Sequence, residues 1–550
     1  MDTQRLLLFV GLGLVLFMLW EAWQREVNPP PAQPAVTQPT ATPSAPSDVP
    51  VGAESRPAVQ APSLVPAGDD VVQRSESLEI KTNVIRALIN THGGDLRLVD
   101  LLQYPAESKK PDVPFRLMND TLPHLFIAQS GFANKRARDD GTIVAAPNHH
   151  TTYKGRVEKD AQGVVRAILE WTSPEGVIFS KIYIFQPDSY VIQVQHKVEN
   201  PTTQAWHGNL YLQLQRSSEE VSTGLGATYT YTGGVIWSEA EKYEKINFDD
   251  MQDEDLQRDI TGGWAAMIQH YFLGAWVPVN DVPYTFYSRA LPRDIYALGL
   301  KSAQEMQVAP QASQSINSQL FVGPKLQHVL EEVAPGLELT VDYGVLTILA
   351  KPLFWALEFI HKYVGNWGWA IVLLTLLIKL VFYKLSETSY KSMAHMRKVQ
   401  PRLQAIKEQY GNDRQKLNQA MMDIYKKEKI NPLGGCLPIL VQIPVFIALY
   451  WMLLESVELR QAPWILWITD LSAKDPYFVL PILMGATMLI QQKLNPTPID
   501  PMQAKIMMAL PFVFTVFFLF FPAGLVLYWV VNNTLSIAQQ WYITRIVIKS

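Results

Sequence analysis

Five apolar segments in the last third of the 550-residue chain constrain its fold more than any other feature. Each is long enough, or nearly so, to cross the hydrocarbon core of a phospholipid bilayer as an α-helix. The last two are joined by a tight turn, Phe521-Pro522-Ala523-Gly524. A polytopic α-helical membrane protein is therefore predicted, with spans at about 367–385, 433–454, 476–492, 505–521 and 523–541.

A sixth span is predicted at the N-terminus, where an apolar run extends from Leu6 to Trp20. No A-x-A-like cleavage site follows this run, and Trp20 and Trp23 suit the membrane–water interface. Residues 1–27 are therefore interpreted as an uncleaved anchor. Because the run is short for a span, a cleaved signal peptide is the alternative.

Residues 28–68 have the composition of a linker. This segment holds eleven prolines among Ala, Thr, Gln and Ser, with almost no large apolar residues. Such a segment cannot bury enough apolar surface to fold, so we expect an extended, semi-rigid spacer.

A large β-domain is predicted between residues 69 and 343. Short runs such as VVRAILEW, VIFSKIYIF and YVIQVQHKV alternate apolar and polar residues and end at Gly, Pro, Asn or Asp. This period of two is typical of antiparallel strands with one buried face. A region of this length with little helical periodicity indicates a large β-sandwich.

The sequence of this domain indicates no catalytic or metal-binding site. It has no G-x-x-x-x-G-K-[ST] phosphate loop, no H-E-x-x-H zinc motif and no G-x-S-x-G nucleophile elbow. The histidine pair His149-His150 lacks the further ligands that a metal needs. The whole chain has one cysteine, Cys436, which excludes an intramolecular disulfide. We expect a structural or interaction domain, with no catalytic residue, metal or cofactor.

The segment 344–366 is predicted to be an amphipathic helix in the membrane interface. Its polar residues fall on one helical stripe, and the remainder is mainly Leu, Ile, Phe and Trp. A core-facing helix of the β-domain is the alternative interpretation. The stripe consists of Thr347, Lys351, Glu358, His361 and Lys362.

The distribution of charge predicts the orientation. Residues 384–429 carry eleven basic and five acidic side chains, whereas residues 455–475 carry two basic and four acidic ones. Because Lys and Arg are enriched in short cytoplasmic loops, the first segment is predicted to be cytoplasmic and the second external. Both termini then lie in the cytoplasm. The β-domain lies outside, in the periplasm of a cell with two membranes.

Residues 386–432 are predicted to form a cytoplasmic helical hairpin. Apolar residues recur at gaps of three and four from Tyr390 to Tyr410, and the pattern resumes after Gly411-Asn412. The basic surface either reflects the positive-inside bias alone or docks an acidic partner, such as ribosomal RNA or a targeting factor. The candidate contacts on that surface are Arg397, Lys398, Arg402 and Lys407.

One cation, Lys379, falls inside the predicted span at 367–385. A lysine at a helix centre costs about 2.5 to 3.5 kcal/mol on insertion scales. Its large apolar neighbours each return about 0.3 to 0.6 kcal/mol, so the segment can still insert. Lys379 lies about 7.5 Å from the predicted cytoplasmic end, which leaves two interpretations, a snorkelling side chain and a functional cation.

Polar residues in other spans favour the functional interpretation. Polar side chains at membrane depth usually face a bundle interior or a watery cavity. No Asp or Glu occurs at a similar depth to neutralise Lys379. We expect a hydrated recess, open to the cytoplasm, that attracts an anionic group, although hydrogen bonding between helices would explain each single Gln or Asn. The candidate lining is Thr375, Gln442, Tyr528, Trp529 and Asn532, with Asn533 beside it.

Several long stretches resemble the YidC membrane protein insertase family in its Gram-negative form. They include VGNWGWAIVLLTLLIK, NPLGGCLPILVQIPVFIALYWML, DPMQAKIMMALPFVFTVFFLFFPAGLVLYW and, in the β-domain, GGWAAMIQHYFLGAWVP. The resemblance covers nearly the whole chain and implies a β-sandwich similar to sugar-binding folds, with five of the six spans forming the insertase core.

The resemblance also implies an ATP-independent function. Members of the family release small membrane proteins, such as ATP synthase subunits and phage coats, into the inner membrane, alone or with the Sec translocon. A groove cation draws in the acidic part of the client, whose apolar helix leaves along the third and fifth spans. The cytoplasmic hairpin is tied to client or ribosome engagement.

This chain departs from the family pattern in three places. Lys379 stands where the groove cation is usually arginine, which leaves open whether charge alone is enough. Tyr528-Trp529 replaces a frequent tyrosine pair and loses one hydroxyl. The sequence RIVIKS at 545–550 lacks the long basic tail of some members, so ribosome binding through a tail is not expected.

Two other functional classes compete with an insertase. A transporter or anion channel would use Lys379 as a binding site, but it predicts an internal repeat and a polar path to the outside that the sequence lacks. An anchored carbohydrate-binding protein leaves five spans and the basic hairpin without a role.

Overall fold

The computed structural model describes residues 76–133, 145–218, 230–278, 282–410, 413–428, 437–495 and 501–547. The predicted anchor at 1–27, the linker at 28–68 and Cys436 lie outside these residues. Two antiparallel sheets occupy the N-terminal part, and a group of helices occupies the C-terminal part.

In spatial order, the first sheet consists of β1 (Ser77–Lys81), β2 (Ile85–Asn90), β3 (Asp95–Glu107), β5 (Phe126–Ala133), β10 (Trp206–Ser217), β17 (Ile295–Ser302), β16 (Pro283–Leu291) and β13 (Gln257–Thr261), with β4 (Lys110–Met118) beside β3 and β18 (Met306–Val308) beside β10. In this sheet, the long strand β10 lies near the middle and pairs with β5 on one side and β17 on the other.

The second sheet packs face to face against the first. In spatial order it consists of β12 (Lys242–Ile246), β11 (Gly233–Ser238), β14 (Trp264–Ile268), β15 (Phe272–Val277), β19 (Ala312–Pro324), β9 (Val191–Asn200), β8 (Ile178–Phe185), β7 (Val165–Thr172) and β6 (Lys154–Lys159).

Alternating burial explains why these segments form a sandwich. Along β8, buried Phe179, Tyr183 and Phe185 alternate with partly exposed neighbours. Successive side chains of a strand point to opposite faces, so this pattern places every second residue in the core between the sheets. Trp276 links the two layers, because its indole nitrogen donates to the carbonyl oxygen of Gln213 at 3.0 Å. The predicted β-sandwich is therefore confirmed.

The described residues also contain ten α-helices. They are α1 (Phe248–Asp253), α2 (Gln327–Val333), α3 (Thr347–Val364), α4 (Trp367–Val381), α5 (Tyr383–Tyr410), α6 (Arg414–Lys427), α7 (Leu437–Glu455), α8 (Val479–Leu494), α9 (Pro501–Phe518) and α10 (Ala523–Tyr542).

None of the helices in the described ranges is, by itself, both long and apolar enough to cross a bilayer. Only α4 and α5 taken together satisfy that condition, and they are bent by 68° where they meet. Shorter apolar helical stretches occur at 441–455, 479–494 and 504–518.

Gly365 and Asn366 end α3 and begin α4. Gly365 has a φ of 69°, a left-handed conformation that favours glycine at a helix C-terminus. The Asn366 side chain then accepts a hydrogen bond from the backbone N–H of Trp369 at 3.1 Å. This pair explains why the chain turns between α3 and α4 instead of continuing as one helix.

A domain joint connects the β-sandwich to the helices. In it, His270 contacts the last turn of α7, and Arg460 and Gln461 bind the β3–β4 hairpin. The Arg460 guanidinium carbon lies 5.4 Å from the ring centre of Phe115 and 5.5 Å from that of Phe272, within cation–π distance. Its Nη2 donates to the carbonyl oxygen of Pro105 at 2.8 Å.

Helices α5 and α6 pack against each other through a narrow apolar seam. Val399 and Leu403 of α5 are buried there against residues of α6. Arg402 and Glu428 form an ion pair of 2.6 Å across the same contact. The contacting residues on α6 are Met421, Ile424 and Tyr425.

Candidate functional site

Lys379 points into the helical group. Its side chain is 7 % exposed, and its Nζ donates to the hydroxyl oxygen of Ser536 on α10 at 2.8 Å. Ser536 can accept this bond because its own proton goes to the carbonyl oxygen of Asn532 at 2.7 Å. Among the residues that the structure describes, no carboxylate forms an ion pair with Lys379. The ammonium group therefore has a neutral hydrogen-bond partner and no compensating charge.

Thr375 lies one turn before Lys379 and is 1 % exposed. Its hydroxyl donates to the carbonyl oxygen of Ile371 at 2.7 Å, which is the usual way for a helix to satisfy a buried threonine. Because that proton is taken, the hydroxyl oxygen can face its surroundings only as an acceptor.

Tyr528 and Trp529 lie on α10 and both contact Phe446 of α7. The ring centres are 6.3 Å apart for Phe446 and Tyr528 and 5.0 Å apart for Phe446 and Trp529. The Trp529 indole nitrogen is buried with no hydrogen-bond partner among the described residues. Gln442 lies one turn before Phe446 on α7 and is half-buried. These rings bring α7 and α10 together on the side of α10 that also carries Ser536.

The two neighbouring asparagines have different surroundings. Asn533 is buried, and its Nδ2 donates to the hydroxyl oxygen of Thr487 on α8 at 3.3 Å. Asn532 is half-buried and contributes its backbone carbonyl to Ser536. Asn533 therefore links α10 to α8, whereas Asn532 lies beside the lysine.

Sequence reasoning missed Ser536, although a signal was present. Tyr528, Asn532, Ser536 and Gln540 recur at intervals of four, which places all of them on one face of a helix. A polar stripe of this kind in an apolar segment marks the side that turns away from lipid. Tyr390 of α5, a buried residue near Ser536, was also missed.

The four predicted hairpin contacts lie on α5, apart from the lysine site. Arg397 and Lys398 are exposed, Lys407 is half-buried, and Arg402 is exposed while paired with Glu428. The charges of Arg397 and Lys398 are therefore on the surface of α5.

An unusually apolar exposed surface accompanies the buried lysine. On α7 it includes Ile443 and Ile447, and on α9 nearly every large side chain is exposed. In water such a surface would be costly, so it indicates contact with lipid or with another apolar helix. The exposed residues of α9 are Met502, Ile506, Met508, Leu510, Phe512, Val513, Phe514, Val516 and Phe517.

A cation with only a neutral partner can attract an acidic group and orient it. The neighbouring hydroxyls and rings can hold a polar segment by hydrogen bonds and a nearby apolar segment by contact area. The arrangement can therefore bind a ligand that has an acidic part and an apolar part.

Two family descriptions together match nearly all of the described chain. The family described as YidC periplasmic domain matches residues 77–356, and the family described as 60Kd inner membrane protein matches residues 359–550. The boundary between them coincides with α3, where the sandwich gives way to the helices.

Full-length relatives agree with both matches. The membrane protein insertase YidC of Thioalkalivibrio sulfidiphilus is 51 % identical over 99 % of this chain and 98 % of that protein. The protein of the same name from Methylococcus capsulatus is 50 % identical over 99 % of this chain and 98 % of its own length. A crystal structure of an active YidC insertase covers 86 % of this chain and 93 % of its own, with 17 % identity and a TM-score of 0.39. On the sequence matches, the chain belongs to the YidC family of membrane protein insertases.

Proposed function

We propose that this chain is a membrane protein insertase and chaperone, which moves client transmembrane segments from the cytoplasm into the inner-membrane bilayer, alone or with the Sec translocon. The observation that carries the proposal is the buried Lys379, bonded to Ser536 and without a carboxylate partner among the described residues. A buried cation is costly, so its presence calls for a transient anionic partner.

The first step is electrostatic. An acidic group on a client, about 4 Å from the Lys379 ammonium, would gain about 4 kcal/mol at an effective dielectric constant of about 20. Ser536 restricts the ammonium to the face of α4 that meets α10, so the attraction has a direction. Thr375, Gln442 and Asn532 supply neutral hydrogen-bonding groups for the polar part of the client.

The second step is apolar. Once the acidic part is held, the client's apolar helix moves out along α7 and α9, whose exposed side chains replace lipid contacts. Burial in lipid stabilises that helix by about 25 cal/mol for each Å² of apolar surface removed from water. No covalent step is required.

The topology that we propose has six spans, with both termini in the cytoplasm and the β-sandwich in the periplasm. Helix α3 would lie in the membrane interface, because it buries Phe354 and Leu357 on one side and exposes Trp355, Phe359 and Tyr363 on another. The α5–α6 pair would be the cytoplasmic hairpin, where Arg397 and Lys398 meet a ribosome or targeting factor.

Replacing Lys379 by Arg, Ala and Glu tests the proposal. Insertion of a client with an acidic translocated tail should persist in Lys379→Arg, fall in Lys379→Ala and fall further in Lys379→Glu. The measurement is protease protection of that tail in vesicles. Crosslinking of the client to α7 and α9 should report the exit path. Insertion by Lys379→Glu at the unsubstituted level would contradict the electrostatic step.

A further inference from the structure

The outer face of the second sheet carries a pocket that the proposed function does not use. Its volume is about 420 Å³, and its floor is formed by β9 and β19 beside the C-terminal end of α2. Val277 of β15 lines it, five residues along the strand from Phe272 at the domain joint. At about 3.3 Å per residue, the pocket lies about 17 Å from the joint along the sheet.

Four amide side chains form most of the polar part of the pocket. Gln193 pairs directly with Gln319 across the two strands, and Gln195 pairs with Asn317. None of these four side chains makes a hydrogen bond to a residue in the ranges that the structure describes. Each therefore offers an N–H donor and a carbonyl acceptor to a ligand.

The remaining lining is uncharged. Ile184, Val277, Pro278 and Val333 form the apolar wall, and the hydroxyl of Ser318 already donates to the carbonyl oxygen of Val194 at 3.2 Å. No charged side chain or aromatic ring is found in the described lining. The nearest charged residues on the same face of β9, Lys197 and Glu199, pair with each other. The pocket therefore suits a neutral ligand, and it lacks an aromatic ring on which a sugar could stack.

The spacing of the amides matches the repeat of an extended polypeptide. Side chains at i and i+2 on one strand are about 6.6 to 6.8 Å apart. An extended peptide presents its backbone N–H and C=O groups along one edge at the same interval, because every second residue faces the same way. A chain lying along β9 and β19 would meet one pair of amides after another in register.

We propose that this pocket binds an extended, uncharged segment of polypeptide. The four amides hydrogen bond to its backbone, and the aliphatic wall contacts its small apolar side chains. The pocket lies on the sandwich, far from Lys379, so this proposal stands whether or not the lysine acts in insertion.

The test uses the full chain in nanodiscs and a capped eight-residue peptide of alternating Thr and Ala. Affinity is measured by surface plasmon resonance for the unsubstituted chain, for the double variant Gln193→Ala/Gln319→Ala, and for Gln193→Glu, which keeps the side-chain volume. Loss of two backbone-binding amides should weaken binding by about tenfold or more. Gln314→Ala, at an exposed position elsewhere on β19, is the matched control and should bind as the unsubstituted chain does.

Three further probes decide between ligand classes. We expect three ligands to bind more weakly than the neutral peptide: the same peptide with N-methyl groups at alternate residues, a peptide of alternating Lys and Ala, and maltotetraose. Saturable binding of the neutral peptide that is lost in the double variant supports the proposal. Equal affinity in the double variant, no saturable binding, or preferential binding of the oligosaccharide would overturn it.

Discussion

Acid should open the domain joint through His270. The Nε2–H of this residue donates to the carbonyl oxygen of Leu454 at 2.9 Å, so the neutral ring carries its proton on Nε2. Burial lowers the pKa of His270 from 6.5 to about 4, and the nearby cations Lys325 and Arg460 act in the same direction, against the opposing effect of the hydrogen bond. When the joint opens, the ring meets water and its pKa returns to the ordinary range.

The direction and the size of the change in joint stability with pH follow from this difference in pKa. Between about pH 6.5 and pH 4 the open state takes up a proton that the closed joint does not, so the closed joint loses stability as the pH falls. About pH 5 is 1.5 units below the ordinary pKa, and each unit corresponds to about 1.36 kcal/mol. The closed joint should therefore lose about 2 kcal/mol, and the open population should rise about 30-fold.

Hydrogen exchange of the backbone amides at 456–462 would measure this change at about pH 7.5 and about pH 5, after correction for the intrinsic exchange rate. His270→Gln keeps a side-chain donor and removes the titration, so most of the pH dependence should disappear. His328→Gln, on the exposed side of α2, should retain it. The reasoning would be refuted if His270→Gln opened with the same pH dependence as the unsubstituted chain.

Three other predictions concern Gly336, Arg460 and Ser536. Gly336→Ala should destabilise the sandwich by about 1 to 3 kcal/mol, because a Cβ there would lie 2.2 Å from the Trp237 indole nitrogen. Gly344 has a similar positive φ but open space around it, so Gly344→Ala should cost less. A thermal unfolding assay would measure both. Arg460→Ala should weaken the joint by about 1 to 3 kcal/mol through the loss of two cation–π contacts and a hydrogen bond, and unchanged exchange at 456–462 would contradict this. Ser536→Ala should lower client insertion, but less than Lys379→Ala does. Ser536→Thr keeps the hydroxyl and should insert clients as the unsubstituted chain does. Equal insertion by Ser536→Ala and the unsubstituted chain would show that Ser536 is not part of the site.

Much of the fold could be predicted because its signals are local. Alternation along segments such as VIFSKIYIF directly encodes which face of a strand is buried, and the sandwich was predicted from it. The start of α3 and the break at Gly365 also follow from short-range patterns. The ends of the apolar helices were less predictable. For example, α8 begins at Val479 because Asp475 accepts hydrogen bonds from Tyr477 and Leu480, a contact that hydropathy does not register.

The candidate site was predicted only in part, since its geometry depends on contacts between distant segments. Lys379 stood out as a cation in an apolar segment, but its partner Ser536 is 157 residues away. Serine is common in helices of every kind, so its identity alone carries little information. The domain joint was missed for the same reason: nothing near Arg460 in the sequence indicates that Phe115 and Phe272 lie against it.

The domain joint also couples the position of the sandwich to that of α7. Arg460 and Gln461 hold Pro105, and His270 holds Leu454 in the last turn of that helix. A sideways force on the sandwich is thus transmitted to one end of α7 without passing through the whole helical group. We therefore expect a partner that binds the sandwich and displaces it to tilt α7 as well. Because α7 is one of the two helices along which we expect clients to leave, this tilt would change the exit path.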